Sequence, residues 1–97
     1  MSRLAYLTID DAPSTLFLDK LDFLEEQGIK ALWFCQGNFM EQRPEMMIRA
    51  LKVGHLLGNH SYSHPYFSEL NVDQGCAEIR ATDAILTELY DRAGVPW

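Results

Sequence analysis

Short apolar runs alternate along the chain with longer segments in which apolar side chains recur every three or four residues. The runs cover residues 4–9, 31–35 and 56–57, and turn-forming Asp, Pro, Gly or Asn residues follow each of them. Runs of this kind predict buried β-strands. Because they are continuously apolar rather than alternating, they are typical of parallel strands that are covered on both faces.

Helices are predicted between these strands and after the last one. The helix starts carry residues that cap or open helices: Ser14 or Thr15, then Pro44, then the capping-box pair Asn71 and Gln74. Gly28 and Gly54 end the first two helices, and the third helix is the longest, at residues 72–92. One predicted helix therefore follows each predicted strand.

The resulting order, β-α-β-α-β-α with strands about 25 residues apart, predicts an α/β fold with parallel strands and right-handed crossovers. The length of residues 1–97 allows one domain and no more, since domains typically hold about 100–150 residues. In parallel α/β folds, functional groups gather at the carboxyl ends of the strands. Asp10 and Asp11, Gly37 and Asn38, and residues 60–64 are therefore expected at one edge of the sheet.

Charge and apolar content exclude several classes of protein. Lys and Arg number 8 against 14 Asp and Glu, a net charge of −6, which disfavours binding to nucleic acid or to an anionic membrane surface. No apolar run approaches the roughly 18 residues of a membrane span, and the first residues lack a signal-peptide pattern. Cys35 and Cys76 are interpreted as free thiols that pack as small core residues, and the expected location is the cytoplasm.

Two histidines, His60 and His64, lie four residues apart after the third predicted strand. Side chains with this spacing share one face of a helical turn, so both rings could bind one metal ion. Pro65 disfavours a right-handed helical conformation at His64, which predicts a turn. A carboxylate from a neighbouring strand end would complete a set of two His and one Asp, typical of catalytic metal sites. The alternative is that both histidines serve only in surface hydrogen bonds.

The pair Asp10 and Asp11 also allows two interpretations. Acidic residues just before a helix stabilise it through the helix dipole by about 0.3–1 kcal/mol, which would make the pair structural. Alternatively, neighbouring side chains of an extended segment point in different directions, so one carboxylate could hold a metal while the other faces its water. His55, between the second helix and the third strand, is interpreted as structural or solvent-facing.

Three segments resemble motifs of the polysaccharide deacetylases, the carbohydrate esterase family 4 group. Residues 8–13 (TIDDAP) resemble the first motif, T-F-D-D-G-P, and residues 34–37 (FCQG) resemble the F-F-x-x-G that closes the second strand. Residues 54–65 (GHLLGNHSYSHP) resemble the second motif, centred on H-[ST]-x-x-H. Each motif is weak alone, but the three in order cover essentially the whole chain and are specific together. The resemblance implies half of a distorted (β/α) barrel that removes acetyl groups from N- or O-acetylated carbohydrates.

The resemblance also implies a role for each matching residue. Asp11, His60 and His64 would bind a divalent ion, with zinc expected first and cobalt or nickel as alternatives, and Asp10 would be the general base. The ion would lower the pKa of its water and polarise the acetyl carbonyl, while Asp10 takes the proton as that water attacks. Ala12 stands where the motif has Gly, so a reshaped loop is expected if the position needs a positive φ.

The family's third motif, whose Arg orients the base and whose strand supplies an oxyanion donor, has no counterpart in this sequence, nor do the fourth and fifth motifs. We therefore expect these residues to encode a truncated domain with weak or no activity by itself, since losing one oxyanion donor costs about 10²–10³ in rate. One alternative is a non-catalytic metal-binding or assembly module with the same fold. Another is a small α/β domain whose motif residues serve only as caps and turns. The sugar, the acyl group or amide, and the metal stay open.

A homo-oligomer is expected as well. Three strands that close no barrel leave two sheet edges, and the inward face, including Tyr6 and Trp33, would lack partners. Two-fold pairing of two half-barrels would cover both the edges and the face.

Overall fold

A sheet of three parallel strands in the order β1-β2-β3 organises the protein. The computed structural model describes residues 3–97 and has strands β1 (Leu7–Ala12), β2 (Ala31–Cys35) and β3 (Leu56–Asn59). The helices of this part of the chain are α1 (Phe17–Glu26), α2 (Gly37–Gln42), α3 (Pro44–Lys52) and α4 (Val72–Ala93), with a 3₁₀ turn at Phe67–Glu69. The predicted α/β class with parallel strands is confirmed.

Most predicted helix boundaries are confirmed. Pro44 occupies the first turn of α3, and Asn71 and Gln74 form both hydrogen bonds of the capping box of α4. The predicted cap of α1 is wrong, because the N-cap position is Leu16 and makes no side-chain hydrogen bond. Ser14 lies outside the helix, where its carbonyl accepts a hydrogen bond from the Phe17 amide.

The bounds of β1 were predicted wrongly, and one short helix was not predicted. β1 begins and ends three residues later than predicted, because its pairing with β2 starts at Leu7. Tyr6, which was predicted within the strand, precedes it and is 88% exposed. Residues 37–42, for which no helix was predicted, form the short helix α2. Its Met40 side chain is fully buried in the core, which anchors a helix too short to show periodicity in the sequence.

The helices cover only one face of the sheet. In β2 the side chains of Ala31, Trp33 and Cys35 are buried in the core, whereas Leu32 and Phe34 alternate with them and are partly exposed. The expectation that Trp33 lies on an uncovered face is therefore wrong, because strand alternation turns it toward the helices. The opposite face, formed by Leu32, Phe34 and Leu56, is the uncovered face of the sheet among the described residues.

His55 is a structural residue in the core. Its ring is 1% exposed, and Nδ1 accepts hydrogen bonds from the Ala31 amide, at 3.1 Å, and the Trp33 indole, at 3.0 Å. Burial, together with the nearby Lys30 ammonium, lowers the pKa of His55. An Nδ1 atom that accepts hydrogen bonds carries no proton, so these two bonds require a neutral ring. The structural interpretation of His55 is confirmed, and the solvent-facing one is wrong.

The cysteines are both free thiols, and they differ in burial. Cys35 is fully buried, and burial raises the pKa of its thiol to about 12. Cys76 is only half-buried on α4, so the prediction of two core cysteines is right for Cys35 alone. Among residues 3–97, no helix is both long and apolar enough to cross a membrane.

Tyr90 connects α4 to β3 through one buried hydroxyl group. The hydroxyl donates to the carbonyl oxygen of Leu57 and accepts from the amide of the same residue, both at 2.8 Å. Burial raises the pKa of Tyr90. A single phenol thus satisfies both backbone polar groups of a buried strand residue.

Replacing Tyr90 by Phe is expected to lower the free energy of unfolding by about 1–3 kcal/mol, because both groups of Leu57 would be left buried without a partner. Urea denaturation followed by circular dichroism measures this change. Tyr6→Phe, which alters an exposed phenol, is the matched control and should change stability by less than about 0.5 kcal/mol. Equal effects of the two substitutions would contradict this role of Tyr90.

Candidate active site

A bulge at the end of β1 makes the side chains of Asp10 and Asp11 point in different directions. The register with β2 skips Asp11, since Asp10 pairs with Phe34 and Ala12 pairs with Cys35. Asp11 has a φ of 63°, so its side chain leaves the alternation of the strand. Paired residues of parallel strands share a face, which places Asp10 beside Phe34 on the uncovered face of the sheet. The two acidic residues therefore lie in different directions, as the functional interpretation requires.

The structural interpretation of the acidic pair is wrong. Helix α1 begins at Phe17, six residues after Asp11, so neither carboxylate lies in its first turn. The condition attached to Ala12 is not met: Ala12 packs into the core, and the positive φ occurs at Asp11 instead.

The histidine pair lies on a turn that begins where β3 ends. The His60 amide donates to the Cys35 carbonyl at 2.9 Å and extends the contact between the two strand ends. Ser61 and His64 have φ values of 66° and 59°. The turn predicted from Pro65 is thus confirmed, but left-handed residues rather than a helical face bring the two rings together.

Helix α2 supports this turn from one side. The amides of Gly37 and Asn38 donate to the carbonyl oxygens of Ser61 and Tyr62, at 2.9 and 3.0 Å. A Cβ atom at Gly37 would lie 2.7 Å from the Thr82 hydroxyl oxygen and 2.8 Å from the Tyr62 ring. The glycine of the F-F-x-x-G-like segment is therefore required by the close approach of α2 to the turn and to α4.

Helix α4 supports the turn from the other side through Glu78. Its carboxylate accepts hydrogen bonds from the amides of Tyr62 and Ser63, at 2.8 and 3.0 Å, and from the Ser63 hydroxyl. Partial burial raises the pKa of Glu78, but these hydrogen bonds outweigh burial, and the pKa is lower than usual. No motif in the sequence indicated this contact.

The three predicted metal ligands lie together. The Oδ1 atom of Asp11 is 3.2 Å from Nε2 of His60 and 3.4 Å from Nε2 of His64, and the two Nε2 atoms are 3.1 Å apart. Ligands about 2.0–2.1 Å from a tetrahedral zinc ion are about 3.3–3.4 Å from each other, so these separations fit such an ion closely. The side chains are part-exposed, which leaves solvent access to open coordination positions.

Gln36 is a site residue that sequence reasoning missed. Its side-chain amide is buried and donates to Oδ1 of Asp11 at 3.0 Å. The contact restrains the carboxylate at the left-handed position. Gln36 occupies a variable position of the F-F-x-x-G pattern, so only the structure identifies it.

Comparison with known proteins places this chain in a family. The sequence model of the polysaccharide deacetylase family matches residues 2–97. The chain belongs to the polysaccharide deacetylase family. It is 39% identical over 84 residues to a peptidoglycan-N-acetylglucosamine deacetylase of Bacillus cereus, covering 86% of this chain and 30% of that protein. A chitooligosaccharide deacetylase of a Bradyrhizobium species is 32% identical over 87 residues, which cover 89% of this chain and 37% of that protein.

Solved polysaccharide deacetylases and related esterases share the fold. The peptidoglycan N-acetylglucosamine deacetylase Bc1960 matches with a TM-score of 0.82 at 39% identity, over 87% of this chain and 40% of that one. A family 4 carbohydrate esterase from Streptomyces lividans, in complex with acetate, matches with a TM-score of 0.83 at 32% identity. The match covers 87% of this chain and 44% of the esterase chain. The chain thus spans less than half of the length of these relatives.

The site is expected to bind one zinc ion per chain, because three ligand atoms converge at suitable separations. Asp11→Asn or His64→Ala should weaken the affinity by at least about 100-fold, since each would remove one of the three expected protein ligands. Isothermal titration calorimetry with Zn²⁺ measures this. Asp91→Asn, at an exposed position near the end of α4, is the control and should bind as the unaltered chain does. An unchanged affinity in His64→Ala would rule out the three-ligand site.

Proposed function

We propose that this chain carries the metal-binding and general-base part of a metal-dependent deacetylase site that acts on acetylated carbohydrates. The convergence of Asp11, His60 and His64, with Asp10 on the adjoining sheet face, is the observation that carries the proposal. Membership of the polysaccharide deacetylase family supports it. So do the names of the relatives, which include deacetylases of peptidoglycan and of chitooligosaccharides.

In the proposed reaction a water molecule attacks the carbonyl carbon of an acetyl group. Asp10 accepts a proton from this water, and the bond from the carbonyl carbon to the sugar nitrogen or oxygen breaks as that atom takes a proton from solvent. The products are acetate and a free amine or hydroxyl group on the sugar. A divalent ion held by Asp11, His60 and His64 supplies a lowered water pKa and a polarised carbonyl when bound. Zinc fits this donor set, and cobalt or nickel are alternatives.

The two carboxylates have different surroundings, which supports different roles. Asp11 is restrained by Gln36 and directed at the histidines. Asp10 shares the uncovered face with Phe34, whose ring centroid lies 6.5 Å from that of His60. Asp10 thus pairs across the sheet with the residue that neighbours His60, and it does not belong to the ligand set, which supports its proposed role as proton acceptor.

Acetate release from chitooligosaccharides and acetylated xylan tests the proposal. We expect these 97 residues alone, with Zn²⁺, Co²⁺ or Ni²⁺, to turn over far below about 1 s⁻¹, because their sequence has no counterpart of the Arg-containing motif with its oxyanion donor. Asp10→Asn should lower the residual kcat without loss of metal, whereas Asp11→Asn should lose metal.

Asp91→Asn is again the control for these two substitutions. Acetate release that survives both a chelator and Asp10→Asn would contradict the proposed mechanism. Loss of metal in Asp10→Asn would show that the roles of Asp10 and Asp11 are exchanged. Turnover of about 1 s⁻¹ or more would contradict the low activity expected of these 97 residues alone.

An assembly role is the second candidate, and the uncovered face of the sheet favours it. Leu56 on this face is 51% exposed, and Leu32 and Phe34 lie beside it on the central strand. Apolar faces and strand edges of this kind recruit other chains. We propose that the 97-residue chain pairs with a second copy through this face.

Light scattering at micromolar concentration is expected to give a dimer of about 22 kDa, twice the 11.1 kDa chain mass. Leu56→Glu should raise the dimer dissociation constant at least about tenfold, because it places a charge in the contact. Phe23→Glu is the matched control, since Phe23 is 58% exposed on α1, away from this face. A species of 11 kDa in the unaltered chain would refute the pairing.

A further inference from the structure

Glu78 makes the main side-chain contact between α4 and the turn that carries the histidines. One carboxylate oxygen accepts from the Tyr62 amide at 2.8 Å and the Ser63 amide at 3.0 Å. The other oxygen accepts from the Ser63 hydroxyl. Two successive backbone amides that point into one concavity form an anion-binding arrangement. Here the anion is a side chain of the same protein.

Glu78 bonds to the middle of the turn, between two residues with unusual backbone conformations. Ser61 and His64, on either side of the bonded amides, have left-handed backbone conformations that non-glycine residues rarely adopt. The Ser61 hydroxyl in turn accepts from the His64 amide at 3.0 Å. Glu78 therefore holds the centre of a strained segment whose conformation decides where the rings of His60 and His64 lie.

A second attachment to α4 fixes the start of the turn. The Asn59 side-chain amide donates to the Ile79 carbonyl at 2.9 Å and to the Asp83 carboxylate at 2.8 Å. The Asn59 side-chain oxygen accepts from the Ser61 amide at 2.9 Å. This attachment does not reach Tyr62 or Ser63. Removing Glu78 would therefore leave the Tyr62 and Ser63 amides without their acceptor, while Asn59 still holds the start of the turn and the α2 amides still hold the carbonyls of Ser61 and Tyr62.

We propose that Glu78 is a positioning residue for the metal site: its carboxylate orders residues 61–64 so that His60 and His64 converge before an ion binds. This inference rests on the proposed function, because it assumes that the two histidines are ligands. An ordered turn loses less conformational freedom on binding an ion, which increases affinity. Groups that orient metal ligands from outside the coordination shell typically contribute about 10–100-fold in affinity.

The test compares Glu78→Ala, Glu78→Gln and Glu88→Ala. Glu88 is exposed on the same helix, ten residues further on, or about 15 Å along the axis. Zn²⁺ affinity is measured by competition with a chromogenic chelator, and the visible absorption of the Co²⁺ form reports the geometry of the ligands. Thermal unfolding followed by circular dichroism establishes that each variant is folded.

We expect Glu78→Ala to bind Zn²⁺ about 10–100-fold more weakly and to alter the Co²⁺ spectrum. Glu78→Gln should bind with intermediate affinity, because its amide oxygen can still accept from the backbone amides. Glu88→Ala should match the unaltered chain in both measurements. A role in fold stability alone would change the unfolding temperature and leave the affinity and the Co²⁺ spectrum of the folded variants unchanged.

Amide hydrogen exchange of the metal-free chain provides a readout that needs no ion. In Glu78→Ala the Tyr62 and Ser63 amides should exchange at least about tenfold faster, because they lose their acceptor. The Leu57 amide, held by Tyr90, should be unaffected and serves as the internal control.

The results separate failure of this inference from failure of the proposed function. If the unaltered chain binds Zn²⁺ through His60 and His64 but Glu78→Ala binds equally tightly, the positioning role is wrong and the proposed function stands. If the unaltered chain binds no divalent ion, the proposed function is wrong, and faster exchange in Glu78→Ala would then assign Glu78 to the fold alone. Unchanged exchange of Tyr62 and Ser63 would also overturn the inference.

Discussion

The site depends on how the backbone groups of one short turn are satisfied. Residues 60–64 form no regular structure, so their amides and carbonyls need partners from other elements. The His60 amide uses the end of β2, the carbonyls of Ser61 and Tyr62 use the start of α2, and the amides of Tyr62 and Ser63 use Glu78. β2, α2 and α4 thus each hold the turn through hydrogen bonds to its backbone.

The same constraint explains features that would otherwise look unrelated. Gly37 lacks a side chain because α2 must approach the turn and Thr82 closely enough for its amides to donate. The bulge at Asp11 turns one carboxylate of β1 toward the two imidazoles, and Gln36 then restrains it. Three left-handed residues, Asp11, Ser61 and His64, occur at this edge of the sheet, where backbone strain is supported by surrounding hydrogen bonds.

Sequence reasoning was strongest where the signal is local or topological. The capping box of α4 and Pro44 of α3 act within one helical turn, so they could be read directly. The parallel order of the strands implied that their carboxyl ends meet, and Asp11, His60 and His64 do lie together. The start of β1 was predicted wrongly and α2 was not predicted, because both depend on contacts with elements distant in sequence. These are β2 for the strand and the core around Met40 for the helix.

By itself the sequence determined the α/β class, the order of the elements and the residues that meet at the edge of the sheet, because periodicity, caps and strand topology depend on neighbours along the chain. Tertiary structure alone decided the face on which Trp33 packs, the buried role of His55, and the contacts of Gln36 and Glu78 with the site. These features depend on partners 22 residues away for His55 and Trp33, 25 for Gln36 and Asp11, and 15 or 16 for Glu78 and the turn. A hydrogen bond between groups that only folding brings together leaves no pattern in the local sequence.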